Sequence, residues 1–234
     1  MYKFIKVEKI EHQFILTLAR PEKRNAFTPT MVNEIHHAFE EANDDDKIKL
    51  VIIKAEGPIF CAGMDLKTFE NPELDVKNPA IQNENISLGE VFDQLLKPSI
   101  ALVEGNVIAG GFLIILGCTY VFCNQNVQFK LPELEIGLFP FQVMASLLKV
   151  MPEKKALQLC LETNYFDAIK AEENGIVDGF IDENDLNQLI NSYDNKSTKA
   201  IKSGIESLRY LPSIPDQNRY QYLKNMLEKL KENN

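Results

Sequence analysis

The sequence contains no tryptophan, and among its 234 residues there are only three histidines and four cysteines. None of the cysteines has zinc-like spacing, and each lies in or beside an apolar run, which predicts reduced core thiols rather than a disulfide framework. They are Cys61, Cys118, Cys123 and Cys160. His36 and His37 share one predicted helix and have no cysteine or carboxylate at ligand spacing. We therefore expect no metal site.

The chain also lacks the apolar segments that targeting and membrane insertion require. Charged residues interrupt its first twenty positions, which argues against a signal peptide and makes a reduced cytoplasm the expected location. Residues 105–129 are uncharged and long enough to cross a bilayer. They hold four glycines and five asparagines or glutamines, however, and this predicts a buried helix followed by a strand.

The charge balance limits the partners of the protein. A formal net charge of −9 argues against binding to nucleic acid or to an anionic membrane surface. It does not exclude a small anionic ligand, because local lysines or backbone amides bind phosphates even on an acidic protein. A composition of 45% hydrophobic and 25% charged residues predicts a globular chain with one main domain.

Hydrophobic periodicity predicts a mixed α/β chain. Residues 14–18 alternate as a strand, and Thr28 followed by Pro29 forms a helix start before apolar positions spaced by three and four. Residues 50–53 and 100–103 are apolar runs typical of strands covered on both faces. Residues 71–86 have no period and predict a mobile lid or a pocket loop, and residues from 149 onward predict helices.

Two glycine-containing segments follow the two buried strands. Residues 60–66 read FCAGMDL, and residues 104–112 read EGNVIAGGF. Each segment places a free backbone amide beside a glycine, and two such amides can hold one oxyanion. Stabilising a thioester oxygen as it becomes an enolate needs preorganised N–H donors more than any particular side chain.

With these segments the sequence resembles the enoyl-CoA hydratase/isomerase (crotonase) family, over roughly residues 14–182. Four further collinear motifs carry the resemblance, at residues 20–26, 97–102, 131–137 and 171–177. The resemblance implies an α/β fold, a crotonase-like ββα spiral with a C-terminal helical region. Residues 1–185 would form the spiral core, and residues 186–234 a helical trimerisation region in a homotrimer or hexamer.

The resemblance also implies a binding site for an acyl-CoA thioester. The oxyanion donors would be the backbone N–H groups of Met64 and Gly110. Coenzyme A would be held, as part of the substrate rather than as a separate cofactor, by Arg24, Ala26, Ala62, Asp65 and Leu66. A helix cap is the structural alternative for Asp65.

One of the two glutamates of the hydratases in this family is missing. Glu133 occupies the second position, but the first position, three residues beyond Gly110, holds Leu113. A single carboxylate suits removal of a proton from C2 of a 3-enoyl thioester and its return at C4. We therefore expect an isomerase, in whose acyl pocket Leu113, Phe139 and Phe141 take part.

Two alternatives remain open at this point. A hydratase, or another crotonase reaction, would need a second acid, for which the lid region offers Asp75, Glu84, Glu90 and Asp93. A thioester-binding protein without catalysis is the other alternative, because Leu113, Glu104 and Thr119 all depart from the family pattern.

Overall fold

The structure is a computed structural model that describes residues 1–232 of the chain. The strands are β1 (Ile5–Ile10), β2 (Gln13–Leu18), β3 (Leu50–Ala55), β4 (Ile59–Cys61), β5 (Ser99–Val103), β6 (Asn106–Ile108), β7 (Tyr120–Cys123), β8 (Gln128–Lys130), β9 (Phe166–Asp167) and β10 (Gly179–Phe180). The helices are α1 (Pro29–Asp44), α2 (Leu66–Glu70), α3 (Leu88–Asp93), α4 (Phe112–Leu116), α5 (Phe141–Leu147), α6 (Glu153–Leu161), α7 (Ala168–Glu173), α8 (Glu183–Asn191), α9 (Thr198–Tyr210) and α10 (Arg219–Glu232). Short 3-10 helices span Pro21–Lys23, Pro72–Leu74, Ala109–Gly111, Glu133–Ile136, Leu211–Ser213 and Asp216–Asn218.

The strands form two sheets that advance together along the chain. The larger sheet has the order β1-β2-β3-β5-β7-β10, in which every neighbouring pair except β1 and β2 is parallel. The smaller sheet has the order β4-β6-β8-β9. Each of β3, β5 and β7 is followed in sequence by a strand of the smaller sheet, so the chain passes from the larger sheet to the smaller one three times. This arrangement confirms the predicted α/β class.

The elements that position the site have the predicted start signals and buried faces. The Thr28 hydroxyl accepts a hydrogen bond from the Met31 N–H at 3.1 Å, and Pro29 is the first residue of α1. Residues 50–53 of β3 are all buried, as expected for a strand covered on both faces. The predicted helix in the uncharged stretch is α4, and it is followed by β7 and β8.

Within residues 1–232, no helix is long and apolar enough to cross a membrane. The four cysteines are free thiols, and three of them are buried. No cluster of three potential metal ligands occurs in this part of the chain.

The C-terminal helices pack unevenly on the core. Ile190 and Tyr193, at the end of α8, pack against Ile52 and Ile100 on the outer face of the larger sheet. α10 has no buried residue among those described, and Tyr220 is 87% exposed. The predicted helical region extends to residue 234, and its last two residues lie outside the described part of the chain.

Residues 71–86, predicted to be a lid or pocket loop, are attached to α1 by buried hydrogen bonds. The Asp75 carboxylate accepts from the Thr30 N–H at 2.7 Å. The Asn78 side chain donates to Glu34 Oε1 at 2.7 Å, and the same carboxylate accepts from the N–H groups of Lys3 and Phe4 at 2.7 and 2.8 Å. Glu34 therefore joins the N-terminus, the loop and α1.

We predict that Glu34→Gln lowers the free energy of unfolding by roughly 1–3 kcal/mol. The N–H groups that donate to the Glu34 carboxylate would then face a side-chain amide, one end of which is itself a hydrogen-bond donor. Urea unfolding measures the change. Glu40→Gln on the exposed face of the same helix is the control, with an expected effect within about 0.5 kcal/mol. Equal effects of the two substitutions would contradict the anchoring role of Glu34.

Candidate active site

A single cavity of about 420 Å³ brings together most of the predicted site residues. Its lining includes Met64, Gly110 and Glu133 together with the predicted pocket residues Leu113, Phe139 and Phe141. Ala62 and Leu66 also line it. Arg24, Ala26 and Asp65 lie outside the lining, on the neighbouring loop and strand end.

The backbone N–H of Met64 is directed away from its neighbouring chain segment. Phe27 and Met64 form an isolated parallel bridge, in which the Phe27 N–H donates to Gly63 O and the Asp65 N–H donates to Phe27 O, both at 2.9 Å. Because N–H groups alternate in direction along an extended chain, the Met64 N–H points to the side opposite Phe27. It has no backbone acceptor within residues 1–232.

The backbone N–H of Gly110 is free for a different reason. Gly110 is the second residue of the 3-10 helix Ala109–Gly111, and the first N–H groups of a helix have no intrahelical acceptor. The preceding residue, Ala109, has φ of 52°, in the left-handed region that costs a non-glycine residue of order 1–3 kcal/mol. This unusual backbone turns the chain directly before the free amide.

Glycines allow the two free amides to lie side by side. A Cβ on Gly63 would stand 2.9 Å from Gly110 N, and the φ of 88° at Gly63 already favours glycine. A Cβ on Gly111 would stand 2.7 Å from Cys61 O. The ends of β4 and β6 therefore approach more closely than side chains permit, and the residues that follow them, Met64 and Gly110, both line the same cavity.

Glu133 faces this cavity from a short 3-10 helix, Glu133–Ile136. Its carbonyl accepts from the Leu138 N–H at 2.9 Å, and Gly137 closes the turn with φ of 75°. Oε2 of its side chain is buried without a hydrogen-bond partner. Burial raises the pKa of the Glu133 carboxyl, and a hydrogen bond from its own backbone opposes this only partly. A raised pKa and a free oxygen are properties of a group that exchanges protons.

Glu135 does not share the environment of Glu133. In a 3-10 helix with three residues per turn, side chains two positions apart point in different directions. Glu135 forms an ion pair with Lys130 at 3.0 Å instead. Its carboxylate is therefore committed outside the cavity.

The four acids of the lid region are also occupied outside the cavity. Asp75 Oδ2 accepts from the Thr30 N–H, while its Oδ1 is buried without a partner and the residue does not line the cavity. Glu84 accepts from the Gln82 side chain at 2.8 Å. Glu90 accepts from Ser87 in a capping box, and Asp93 pairs with Lys149. Leu113 is 3% exposed and lines the cavity where the family hydratases have a glutamate. Among the described lining residues, Glu133 is the only carboxylate.

The residues expected to hold coenzyme A form one connected edge beside the cavity. The Ala62 N–H donates to Arg24 O at 3.0 Å, and Arg20 Nη1 donates to Ala26 O at 2.7 Å. The same nitrogen of Arg20 pairs with Asp65 Oδ2 at 2.8 Å. Asp65 precedes α2, but its side chain makes no capping bond to that helix, so its carboxylate serves this ion pair.

Two residues that shape the site, Phe27 and Asn25, were not among the predicted site residues. Phe27 supplies the bridge that orients the Met64 amide, and its ring packs on Phe69 with centroids 6.3 Å apart. Asn25 is fully buried and donates to the carbonyls of Glu56 and Ile59 at 2.8 and 2.9 Å. The signal available for them was the motif at residues 20–26, which contains Asn25 and ends directly before Phe27, but the motif gives neither their direction nor their partners.

A larger surface cleft of about 820 Å³ lies between α6 and α7 and shares no lining residue with this cavity. Lys170 and Glu162 form an ion pair across it at 2.8 Å. The cleft has neither of the free amides nor Glu133, so it is not the predicted acyl-CoA site.

Comparison with known proteins gives relatives of this chain in sequence and in fold. The sequence model of the family described as Enoyl-CoA hydratase/isomerase matches residues 11–222. Enoyl-CoA hydratase EchA19 of Mycobacterium tuberculosis is 29% identical over 222 residues, covering 92% of this chain and 84% of that protein. Mevalonyl-coenzyme A hydratase sidH of Aspergillus fumigatus is 28% identical, covering 85% and 75% of the two chains. The crystal structure of an enoyl-CoA hydratase from Shewanella pealeana superimposes with a TM-score of 0.84 at 24% identity, covering 98% of this chain and 88% of that one.

We predict that Glu133→Gln raises the free energy of unfolding at about pH 7, because burial disfavours the ionised form of this carboxyl in the folded chain and glutamine has no charge to bury. Burial raises the pKa of Glu133 above its unfolded value, so this carboxyl lowers the free energy of unfolding, and the reduction is complete at pH values above the folded pKa. It disappears as the pH falls below the unfolded value of about 4.3, where both states are protonated.

Urea unfolding of both proteins at about pH 7 and about pH 4 tests this expectation. Glu172→Gln, at an exposed position of α7, is the control and should change stability little at either pH. Absence of any gain from Glu133→Gln at neutral pH would contradict the buried, unpaired state of its carboxylate.

Proposed function

Because the chain belongs to the enoyl-CoA hydratase/isomerase (crotonase) family, we propose that it is an acyl-CoA enzyme that converts 3-enoyl to 2-enoyl thioesters by proton transfer at Glu133. The observation that carries the proposal is the lone carboxylate of the cavity, whose Oε2 is buried and unpartnered. One acid that is free to accept and return a proton suits a double-bond shift.

The first step forms an enolate. The Glu133 carboxylate takes a proton from C2 of the thioester. The electron pair of that C–H bond forms a double bond between C1 and C2, and the carbonyl π pair moves onto the thioester oxygen. The amides of Met64 and Gly110 would donate to this oxygen as its negative charge develops. Preorganised donors of this kind contribute more to the transition state than to the ground state, because the charge appears only as the bond breaks.

The second step returns the proton at the other end of the allyl system. The enolate electrons re-form the carbonyl and move the double bond to C2–C3, and C4 takes the proton from protonated Glu133. The raised pKa of Glu133 supports both halves of this cycle, since burial makes the carboxylate a stronger base for the first step and shifts its pKa toward neutral pH. No water is consumed, and the apolar Leu113 side chain disfavours one at this place.

Hydration of a 2-enoyl thioester is the second candidate, and the names of the relatives favour it. EchA19 and sidH are both named hydratases. Against it, activating water while protonating carbon usually recruits two groups, and the four acids considered in the lid region are bonded elsewhere. The hydratase reading would require one of them to rearrange when substrate binds.

We further propose that coenzyme A lies along the edge formed by Arg24, Ala26, Ala62, Asp65 and Leu66, and that it enters only as part of the substrate. The closeness of this edge to the cavity mouth supports the proposal. We also propose a homotrimer or hexamer in which residues 186–234 contact a neighbouring subunit. The exposed apolar side chains of Leu208, Tyr220 and Leu227 support that assembly.

We predict that Glu133→Gln lowers kcat/KM for 3-enoyl-CoA isomerisation by ~10²-fold or more, while the affinity for a saturated acyl-CoA stays nearly constant. The substitution keeps the size of the side chain but removes the base. Glu135→Gln, two residues away and outside the cavity, is the matched control and should retain activity.

Product analysis separates the alternatives. Efficient conversion of 2-enoyl-CoA to a 3-hydroxyacyl product by the unmodified protein would overturn the isomerase in favour of the hydratase. Binding of thioesters without turnover of either substrate would favour a non-catalytic binding protein.

A further inference from the structure

The inner end of the cavity is formed by four buried aliphatic side chains. We call this set the inner wall: Val32, Leu88, Leu113 and Val143, which are 2%, 1%, 3% and 3% exposed. They come from α1, α3, α4 and α5, and in that order each helix packs against the next. Leu113 Cδ2 lies 3.8 Å from the position of a Cβ on Gly89, in the first turn of α3. Because all four side chains are buried, the inner wall marks the end of the cavity that lies away from solvent.

The outer end of the cavity is open and differs in character. Ile136 and Phe141, which also line the cavity, are 61% and 70% exposed. The rings of Phe139 and Phe141 pack together there with centroids 5.1 Å apart. A charged, phosphate-bearing coenzyme has no reason to enter the uncharged inner end, where burial of its charges would be costly. The acyl chain of a bound thioester would therefore point inward.

Polar side chains are scarce along the path that the acyl chain of the thioester would take. Apart from Glu133, the described lining offers only the hydroxyl of Ser87 and the amide of Gln142. The Ser87 hydroxyl donates to Glu90 Oε2 at 2.7 Å and accepts from the Glu90 N–H at 3.3 Å. Gln142 is exposed and so lies toward the mouth. The inner wall itself contributes no polar side-chain atom.

We propose that the inner wall selects unsubstituted hydrocarbon acyl groups and discriminates against acyl chains that carry a hydroxyl group near their far end. This inference rests on the proposed acyl-CoA function of the same cavity, but not on which reaction follows binding. A terminal hydroxyl placed against the inner wall loses its hydrogen bonds to water and finds no partner. Val143 and its three neighbours are then the residues that determine this specificity.

The expected discrimination is moderate. Burial of a hydroxyl without a partner weakens binding by roughly 10- to 100-fold, and apolar pockets reject an added hydroxyl by about that factor. A pocket built to recognise a hydroxyl would show the opposite preference, because its own polar groups would be left unpaired by a hydrocarbon.

Calorimetric titration with matched saturated thioesters tests the proposal without turnover. Hexanoyl-CoA is compared with 6-hydroxyhexanoyl-CoA, and butyryl-CoA with 4-hydroxybutyryl-CoA. We expect the hydroxylated member to bind roughly 10- to 100-fold more weakly in at least the longer pair. Equal affinities in both pairs would overturn the inner-wall proposal. If none of the four thioesters binds, the acyl-CoA function itself is overturned.

Val143→Thr locates the effect, because it adds a hydroxyl to the inner wall at nearly constant volume. It should reduce the discrimination by about tenfold, by offering the substrate hydroxyl a partner. Val91→Thr is the matched control, since Val91 is equally buried in the neighbouring helix α3 and does not line the cavity. Thermal unfolding of both variants verifies folding, and Val32→Thr replaces Val143→Thr if the latter does not fold. Equal loss of discrimination in the Val91→Thr control would contradict a specific role for the inner wall.

Discussion

The close approach of two backbone segments, at the ends of β4 and β6, is the constraint on which the site depends. Gly63 and Gly111 stand where a Cβ would lie within 3 Å of backbone atoms of the opposing segment, so the two segments meet main chain to main chain. The fold supplies this approach through the parallel pairing of β4 with β6. Ala109, held with a positive φ, completes the turn that leaves the Gly110 amide free.

A second constraint is the apolar surrounding of one ionisable group. The cavity lining is largely aliphatic and aromatic, and it raises the pKa of Glu133 by excluding water from one of its oxygens. The same exclusion disfavours ionisation of this carboxyl in the folded protein. A site that exchanges protons with carbon needs such a group. The group lowers the stability of the folded protein locally, at a place where the proposed function requires it.

Periodicity and cap signals predicted most of the framework that carries the site. The helix start at Thr28 and Pro29 and the buried strand at residues 50–53 depend on local patterns, which survive into the tertiary structure. The family resemblance predicted the residues that meet in the cavity. It could not predict that Asp65 pairs with Arg20, or that Glu34 fastens the loop at residues 71–86, because these contacts join positions whose spacing has no period. The roles proposed for Met64, Gly110 and Glu133 stay predictions until a substrate is present.

The most direct test of the account is a crystal structure of the protein with a bound saturated acyl-CoA. The account predicts that the thioester oxygen lies about 3 Å from both Met64 N and Gly110 N, with the Glu133 carboxylate facing C2 of the acyl group. A thioester oxygen that contacts neither amide, or a Glu133 carboxylate directed away from the acyl group, would contradict it.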